Sequence, residues 1–390
     1  MNKKKPGNKS QCVCVILITL LSSVLSLPVS GGCTRPGPIK VGFAGELTGK
    51  QSDPGVQSRN GALLALEALN ESGGVAGRSL ELLVRDDQGT PEGAQAADHE
   101  LIDAGVVAII GHITSEQSVA ALPVMEEAGV VLLSPTSSTT ELSGLDDHFF
   151  RVTATNIQEA HLLARHVYQQ RGLSRVAVIY DDDNAAFSQN LWAGFAQAYQ
   201  ALGGQVSNEV RFFSSKEPDF APLVAQLRAS DPQGLFIIAS ALDTALIVQQ
   251  VRLGGWQVPS FAGGWAYTEV LLQNGGRAVE GIEFIIAHDP NDQSPAFLDF
   301  QARYQVRFGR ASTFASVFAY EAVMVLAAAL EKTHGQAKGL PQALLETRDF
   351  EGLTGVISMD EYGDVVRTQF LSVVQDGQFV TLDRLEPTGE

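Results

Sequence analysis

Residues 39–45 read IKVGFAG, a short apolar run that ends where Glu46 begins a polar loop. Three similar runs follow at Leu80–Asp86, Val106–Gly111 and Val130–Ser134, each bounded by Gly, Asp or Pro. Runs this short and this continuously apolar suit strands covered on both faces. Between them lie helical patterns over Val56–Glu71, Pro91–Ala104 and Ser115–Ala128. In the first, Ala62, Leu63, Leu66 and Leu69 recur at spacings of three and four, which puts them on one face of a helix. Strand and helix in alternation predict a parallel sheet with helices on both sides.

The pattern then restarts. Arg175–Tyr180, Val206–Phe212, Gly234–Ser240, Ser260–Gly263 and Glu283–Ala287 read as strands. Ile157–Arg171, Ala186–Leu202, Phe220–Ala229 and Asp243–Leu253 read as helices, and Ser316–Thr333 as a long alanine-rich one. From Gly355 to Leu382 the turn signals at 360–363 and 376–377 separate β-rich runs, predicting two or three antiparallel strands. A length of 390 residues accommodates two such domains.

Lys3, Lys4, Lys5 and Lys9 precede an uncharged, mostly apolar run from Cys12 to Leu27, too short for a bilayer span but suited to an export signal. Ser30-Gly31-Gly32-Cys33 then resembles a bacterial lipoprotein cleavage box, with Ser30 where Leu is usual. Two outcomes stay open: lipidation at Cys33, or ordinary cleavage near Gly32. All three cysteines (Cys12, Cys14, Cys33) fall in this leader, so the folded body offers no disulfide, thiolate metal site or cysteine nucleophile. The formal charge is −17, and loss of residues 1–32 leaves 23 basic against 44 acidic residues, or −21. A polyanion without a basic cluster is a poor nucleic-acid binder.

Ligands of open α/β sheets bind beyond the carboxyl ends of the strands. Three capping-box patterns collect near such ends: Thr114 with Gln117, Ser138 with Glu141, and Asn156 with Glu159. The first two directly follow parallel strands, so their helix N-termini would aim free N–H groups at a cleft, a setting suited to a carboxylate. Ser115, Thr136 and Ser138 add hydroxyls at the same edge, although each of these residues also has a plain capping role to play.

Several segments recur in a recognisable order: Ile39–Gly49 (IKVGFAGELTG), the run NESGGVAG over 70–77, Asp86-Asp87-Gln88, Val106–Gly111 and Ser134-Pro135-Thr136. Tyr180-Asp181, Gly263-Gly264, Ala278-Val279-Glu280-Gly281 and Asp360–Gly363 continue the series over nearly the whole body. This ordered set resembles the branched-chain amino-acid binding family of periplasmic receptors serving ABC transporters. The resemblance implies a type I fold, two Rossmann-like lobes joined by three crossings near residues 155, 287 and 356. On that plan residues 33–38 are a tether, 39–155 with 287–356 form the N-terminal lobe, and 156–286 with 357–390 form the C-terminal lobe.

The resemblance also implies that Ser115 and Ser138 hold an α-carboxylate and that Thr136 offers its backbone carbonyl to an ammonium. The family's aspartate after the first crossing is Asn156 here, and its ring-bearing position after the fifth strand is Phe187, which also reads as a buried helix anchor. Residues near Ser240 join the second-lobe contacts. Relatives commonly carry an acid near the position of Trp265, whereas this sequence reads Gly263-Gly264-Trp265-Ala266-Tyr267, with no carboxylate until Glu269. A buried cation without an acidic partner is unfavourable by several kcal/mol. Trp265 is therefore expected to line the pocket, with its ring face taking a cation or stacking on an apolar group.

An enzymatic reading finds little support. Gly45–Lys50 is one residue short of a phosphate loop, and the histidines are scattered without a metal spacing. His112, just before Ser115, either touches the ligand or is a satisfied structural histidine. Asp181-Asp182-Asp183 reads as a solvated loop rather than a cation site. Sequence and resemblance together imply a non-catalytic, extracytoplasmic, monomeric solute-binding protein with no cofactor, whose partners are a small carboxylate-bearing ligand, expected to be a branched-chain or other hydrophobic amino acid, and the permease subunits of an ABC transporter. A sensory protein of the same fold, or a receptor for a carboxylate without an amine, stays open as an alternative.

Overall fold

The computed structural model describes residues 37–385, so the expected leader and the lipidation of Cys33 lie outside the described residues. The first sheet is built from β1 (Ile39–Gly45), α1 (Asp53–Glu71), β2 (Leu80–Asp86), α2 (Pro91–Asp103), β3 (Ala108–Ile110), α3 (Ser115–Ala128), β4 (Val131–Ser134) and β5 (Phe149–Arg151). Its strands are parallel in the order β2-β1-β3-β4-β5, which places a topological switch between β1 and β3. Val41, Phe43, Ile109, Ile110, Leu132 and Leu133 are buried between the helical layers, as the unbroken apolar runs require.

The second sheet repeats the plan with α4 (Asn156–Arg165), β6 (Arg175–Asp181), α5 (Ala185–Ala201), β7 (Gln205–Phe212), α6 (Phe220–Ala229), β8 (Gly234–Ile238), α7 (Ala241–Leu253), β9 (Ser260–Ala262), α8 (Glu269–Gly275) and β10 (Glu283–Ile286). α4 closes in a π turn over His166–Gln170. The chain then returns to the first lobe as α9 (Pro295–Phe308), α10 (Phe314–Lys332), α11 (Leu340–Leu345) and a short hairpin, β11 (Phe350–Glu351) with β12 (Val356–Ile357). It ends in β13 (Gln369–Gln375) and β14 (Gln378–Leu385), antiparallel strands that extend the second sheet beside β10.

α10 is long and apolar enough to cross a membrane, but most of it is buried in the protein. It lies close against α1. A Cβ on Gly61 of α1 would come within 2.0 Å of the Ser316 carbonyl oxygen, so only glycine permits this approach. α9 shows its start in the sequence, with Ser294 as N-cap and Pro295 in the first turn; Phe297, Phe300 and Tyr304 form its buried stripe.

Between the sheets the chain passes three times. The third passage runs later than expected. Ala154 pairs with Val365, the Arg151 N–H donates to the Gly363 carbonyl, and the Arg151 Nε lies 2.6 Å from Asp364 Oδ1. Residues 357–365 therefore pack against the first lobe rather than opening the second, because the turn at 360–363 delivers Asp364 to a buried arginine. A second buried pair, Arg367 with Glu321 at 3.0 Å, ties this passage to α10, while Arg367 Nη1 donates to the Val152 carbonyl of the first passage.

Candidate functional site

The two sets of strand ends face each other across a cleft of about 860 Å³, open mouth included. From the first lobe come Glu46 after β1, Ser115 at the start of α3, and Thr136 and Ser138 after β4. The second lobe supplies Asn156 and Glu159 of α4, Phe187 of α5, and Gly264 with Trp265 after β9. Ile113, Ile286, Phe314 and Phe318 complete apolar walls. Six residues expected from sequence therefore converge on one cavity: Ser115, Thr136, Ser138, Asn156, Phe187 and Trp265.

The capping boxes expected there do not form. Thr114 is the N-cap of α3 without a side-chain bond, and Ser138 begins no helix; a single 3₁₀ turn, Thr140–Leu142, follows and is capped by Thr139. At α4 the N-cap is Thr155, leaving Asn156 inside the first turn. The polar groups are instead spent on one another. Ser115 Oγ accepts from the backbone N–H of Ser138 and of Thr139, both at 3.3 Å, which joins the two loops. No acceptor for the Ser115 hydroxyl hydrogen occurs among the described residues, so it is available to the cleft. Thr136 commits its hydroxyl to the Ile113 carbonyl at 2.6 Å. Beneath this loop the buried Arg151 donates to the carbonyls of Ser137 and Thr139, fixing the backbone that presents Ser138.

Two expected residues lie elsewhere. His112 is fully buried behind the cleft, with Nδ1 2.7 Å from Asp87 and Nε2 3.1 Å from Asp98. Burial acts to lower its pKa, but Asp98 and Asp87 outweigh burial and raise it to about 10. It is a structural clamp between β2, β3 and α2. Ser240 caps α7, accepting from the Asp243 N–H and donating to Asp243 Oδ2 at 3.1 Å, and borders only a smaller adjoining pocket. Asp181 is not solvated either; it is buried and accepts from the N–H groups of Asp183 and Ser214.

The acid missing beside Trp265 enters from another element. Glu159 of α4 is buried, with Oε1 2.9 Å from the Gly264 nitrogen that donates to it. Burial raises its pKa to about 8, with the Gly264 N–H acting in the opposite sense. Its sequence signal was the helical period, since Asn156, Glu159, Ala160 and Leu163 share the buried face of α4. Glu46 is the second acid in the cleft, raised by burial to about 7 despite accepting from the Gln51 N–H. Phe187 and Trp265 meet edge to face, with centroids 6.0 Å apart, and form an aromatic wall.

Contacts across the mouth show the lobes drawn together. Lys50 Nζ lies 3.0 Å from Asp243 Oδ1 and 3.3 Å from Ser214 Oγ. Glu116 accepts from the Ala186 N–H and donates its own N–H to Asn184 Oδ1. Thr140 and Asn190 exchange two further bonds.

Comparison with known proteins agrees with this architecture. Residues 38–378 match the family model described as periplasmic binding protein. The chain is 26% identical to the Leu/Ile/Val-binding protein homolog 3 of Brucella melitensis, over 94% of this chain and 100% of that protein. It superposes on a leucine-binding protein from Thermotoga maritima with a TM-score of 0.83 and 28% identity, covering 90% of this chain and 99% of the other. A solute-binding protein from Rhodopseudomonas palustris, solved with 3,4-dihydroxybenzoic acid, shares the fold with a TM-score of 0.81 at 24% identity, covering 90% of this chain and 98% of that one. With a match over most of its length and a two-lobed cleft of this form, the chain belongs to the periplasmic binding protein family, the non-enzymatic solute receptors of ABC transporters.

Proposed function

We propose that this protein captures a hydrophobic amino acid between its lobes, outside the cytoplasmic membrane, and delivers it to the permease subunits of an ABC transporter. A lipid on Cys33 keeps it at the membrane surface, and it acts as a monomer. The observation that carries the reading is the cleft itself, where the hydroxyl residues Ser115 and Ser138 share one cavity with apolar and aromatic walls. The hydroxyls suit a carboxylate, and Phe187, Trp265, Phe314 and Phe318 suit an apolar side chain. The names of the Brucella and Thermotoga relatives support the same class. The aromatic wall favours one second reading, an aromatic carboxylate, the class bound by the Rhodopseudomonas protein.

The open form presents the first-lobe donors to solvent, and ligand contacts with the second lobe stabilise closure. Only affinity that differs between open and closed forms shifts that balance. Titration calorimetry of Ser115→Ala with L-leucine tests the reading. Loss of a hydroxyl that meets the carboxylate lowers affinity about five- to a hundredfold, equivalent to about 1–3 kcal/mol. An unchanged dissociation constant removes Ser115 from the site.

A further inference from the structure

We infer that Glu159 is the specificity-determining acceptor for a ligand ammonium group, and that the cleft selects zwitterionic amino acids over the corresponding amine-free acids. The inference rests on the solute-capture reading above and names what that site discriminates.

Glu159 is placed for this role by three elements. α4 carries it on the buried face, the Gly263–Gly264 turn after β9 brings a backbone N–H to Oε1, and the cleft opens in front of it. A Cβ on Gly264 would stand 3.0 Å from Ile286 Cδ1, so a side chain there would push on the apolar wall, while it would only touch the carboxylate at 3.6 Å from Oε2. Among the described residues no lysine, arginine or histidine pairs with Glu159, and Oε2 has no protein donor. A carboxylate held out of water with one N–H for company is costly to ionise, and its raised pKa of about 8 expresses that. An arriving ammonium supplies both the charge and the donors that the protein withholds.

A second acceptor stands one helical turn away. Asn156 Nδ2 donates to the Phe187 carbonyl at 3.1 Å, while its Oδ1 is buried with no partner. An unpaired buried acceptor is uncommon in a native protein and calls for a donor. Asn156 and Glu159 line the same cavity, so a cation between them would satisfy both. The amine-binding function thus moves from the position of Trp265 to the first turn of α4, and Trp265 is left to pack against Phe187.

Titration calorimetry on the full chain with two matched pairs tests the inference: L-leucine with 4-methylpentanoate, and L-phenylalanine with 3-phenylpropanoate. The wild type is expected to favour each amino acid over its amine-free partner by about 10- to 100-fold. Glu159→Gln, which keeps an acceptor for Gly264, is expected to erase most of that preference and to leave the amine-free acids bound within about threefold. Their retained binding shows that the variant is folded. Equal wild-type affinity within each pair, or an equal loss for both members in Glu159→Gln, overturns the role of Glu159 and leaves carboxylate capture standing. No wild-type binding to any of the four overturns both. A crystal structure with L-leucine gives an answer that needs no variant: the ligand nitrogen lies within hydrogen-bond distance of Glu159, or the inference is wrong.

Discussion

Replacing Lys50 by Met removes the charged strap across the cleft mouth. The ion pair spans 3.0 Å, a separation at which unit charges attract by about 1.4 kcal/mol in water and about 5.5 kcal/mol at an effective dielectric of 20. Lys50 keeps 39% of its side chain exposed, so solvent screening brings the net value towards the lower figure. The partner is not orphaned by the change, because Asp243 still accepts from Ser214 Oγ at 2.6 Å and from Ser240 Oγ at 3.1 Å. These facts place the loss at about 1–2 kcal/mol, a five- to thirtyfold fall in the closed-to-open ratio. Since the bond exists only when the lobes meet, the loss should appear mainly as faster ligand release. Stopped-flow tryptophan fluorescence with L-leucine, reading Trp265 at the cleft, measures that rate. Adding Asp243→Asn completes a double-mutant cycle and isolates the pairwise coupling. Raising the salt should bring the wild type towards the variant. An unchanged release rate for Lys50→Met, or the same effect whether or not Asp243 is present, would refute the argument.

Other consequences concern stability. Burial raises Glu46 to about 7 and Glu159 to about 8, and Asp98 with Asp87 overcome burial to raise His112 to about 10. For each group the folded protein binds protons more tightly than the unfolded chain, so stability present at low pH is lost as pH rises through the folded pKa. The thermal midpoint of the ligand-free protein should therefore fall between about pH 4.5 and 10, and Glu159→Gln should flatten the part between about pH 4.5 and 8; a midpoint that rises over this range contradicts the assignment. Gly61→Val should separate α1 from α10, since its Cβ would lie 2.0 Å from a backbone oxygen. Denaturant unfolding is expected to show a loss of about 3 kcal/mol or more, and a loss below about 0.5 kcal/mol would mean that the helices adjust freely.

The sheets were legible because parallel strands buried on both faces have no choice but to be apolar, and Ile39–Gly45, Val131–Ser134 and Gly234–Ile238 carry that constraint in their own residues. β5 was harder to see: three residues, Phe149–Arg151, end in an arginine whose burial is bought by Asp364, more than two hundred positions away. The same long-range pairing moved the third passage, since nothing local to 357–365 states which lobe it will join. Capping boxes failed for a related reason. Asn-x-x-Glu describes a local option, and Glu159 was claimed instead by the Gly264 N–H of another loop.

Glu159 shows why a missing residue in a motif is weak evidence about a pocket. A cation inside a cleft needs a nearby carboxylate, but electrostatics does not specify the chain segment that supplies it. The position of Trp265 and the first turn of α4 border one cavity, and the hydrogen bond from the Gly264 N–H to Glu159 links them directly. An acid at either place presents charge to the same small volume. With the carboxylate on α4, the strand-end position is free to carry an indole that widens the apolar wall beside Phe187. The exchange has a consequence for specificity. A charge anchored on a helix and braced by a backbone N–H moves little, whereas the aromatic wall beside it makes non-directional apolar contacts that many side chains can satisfy. Selection in this cleft should then be strict for the amine and tolerant of the side chain, so that L-leucine and L-phenylalanine differ less from each other than either differs from its amine-free counterpart.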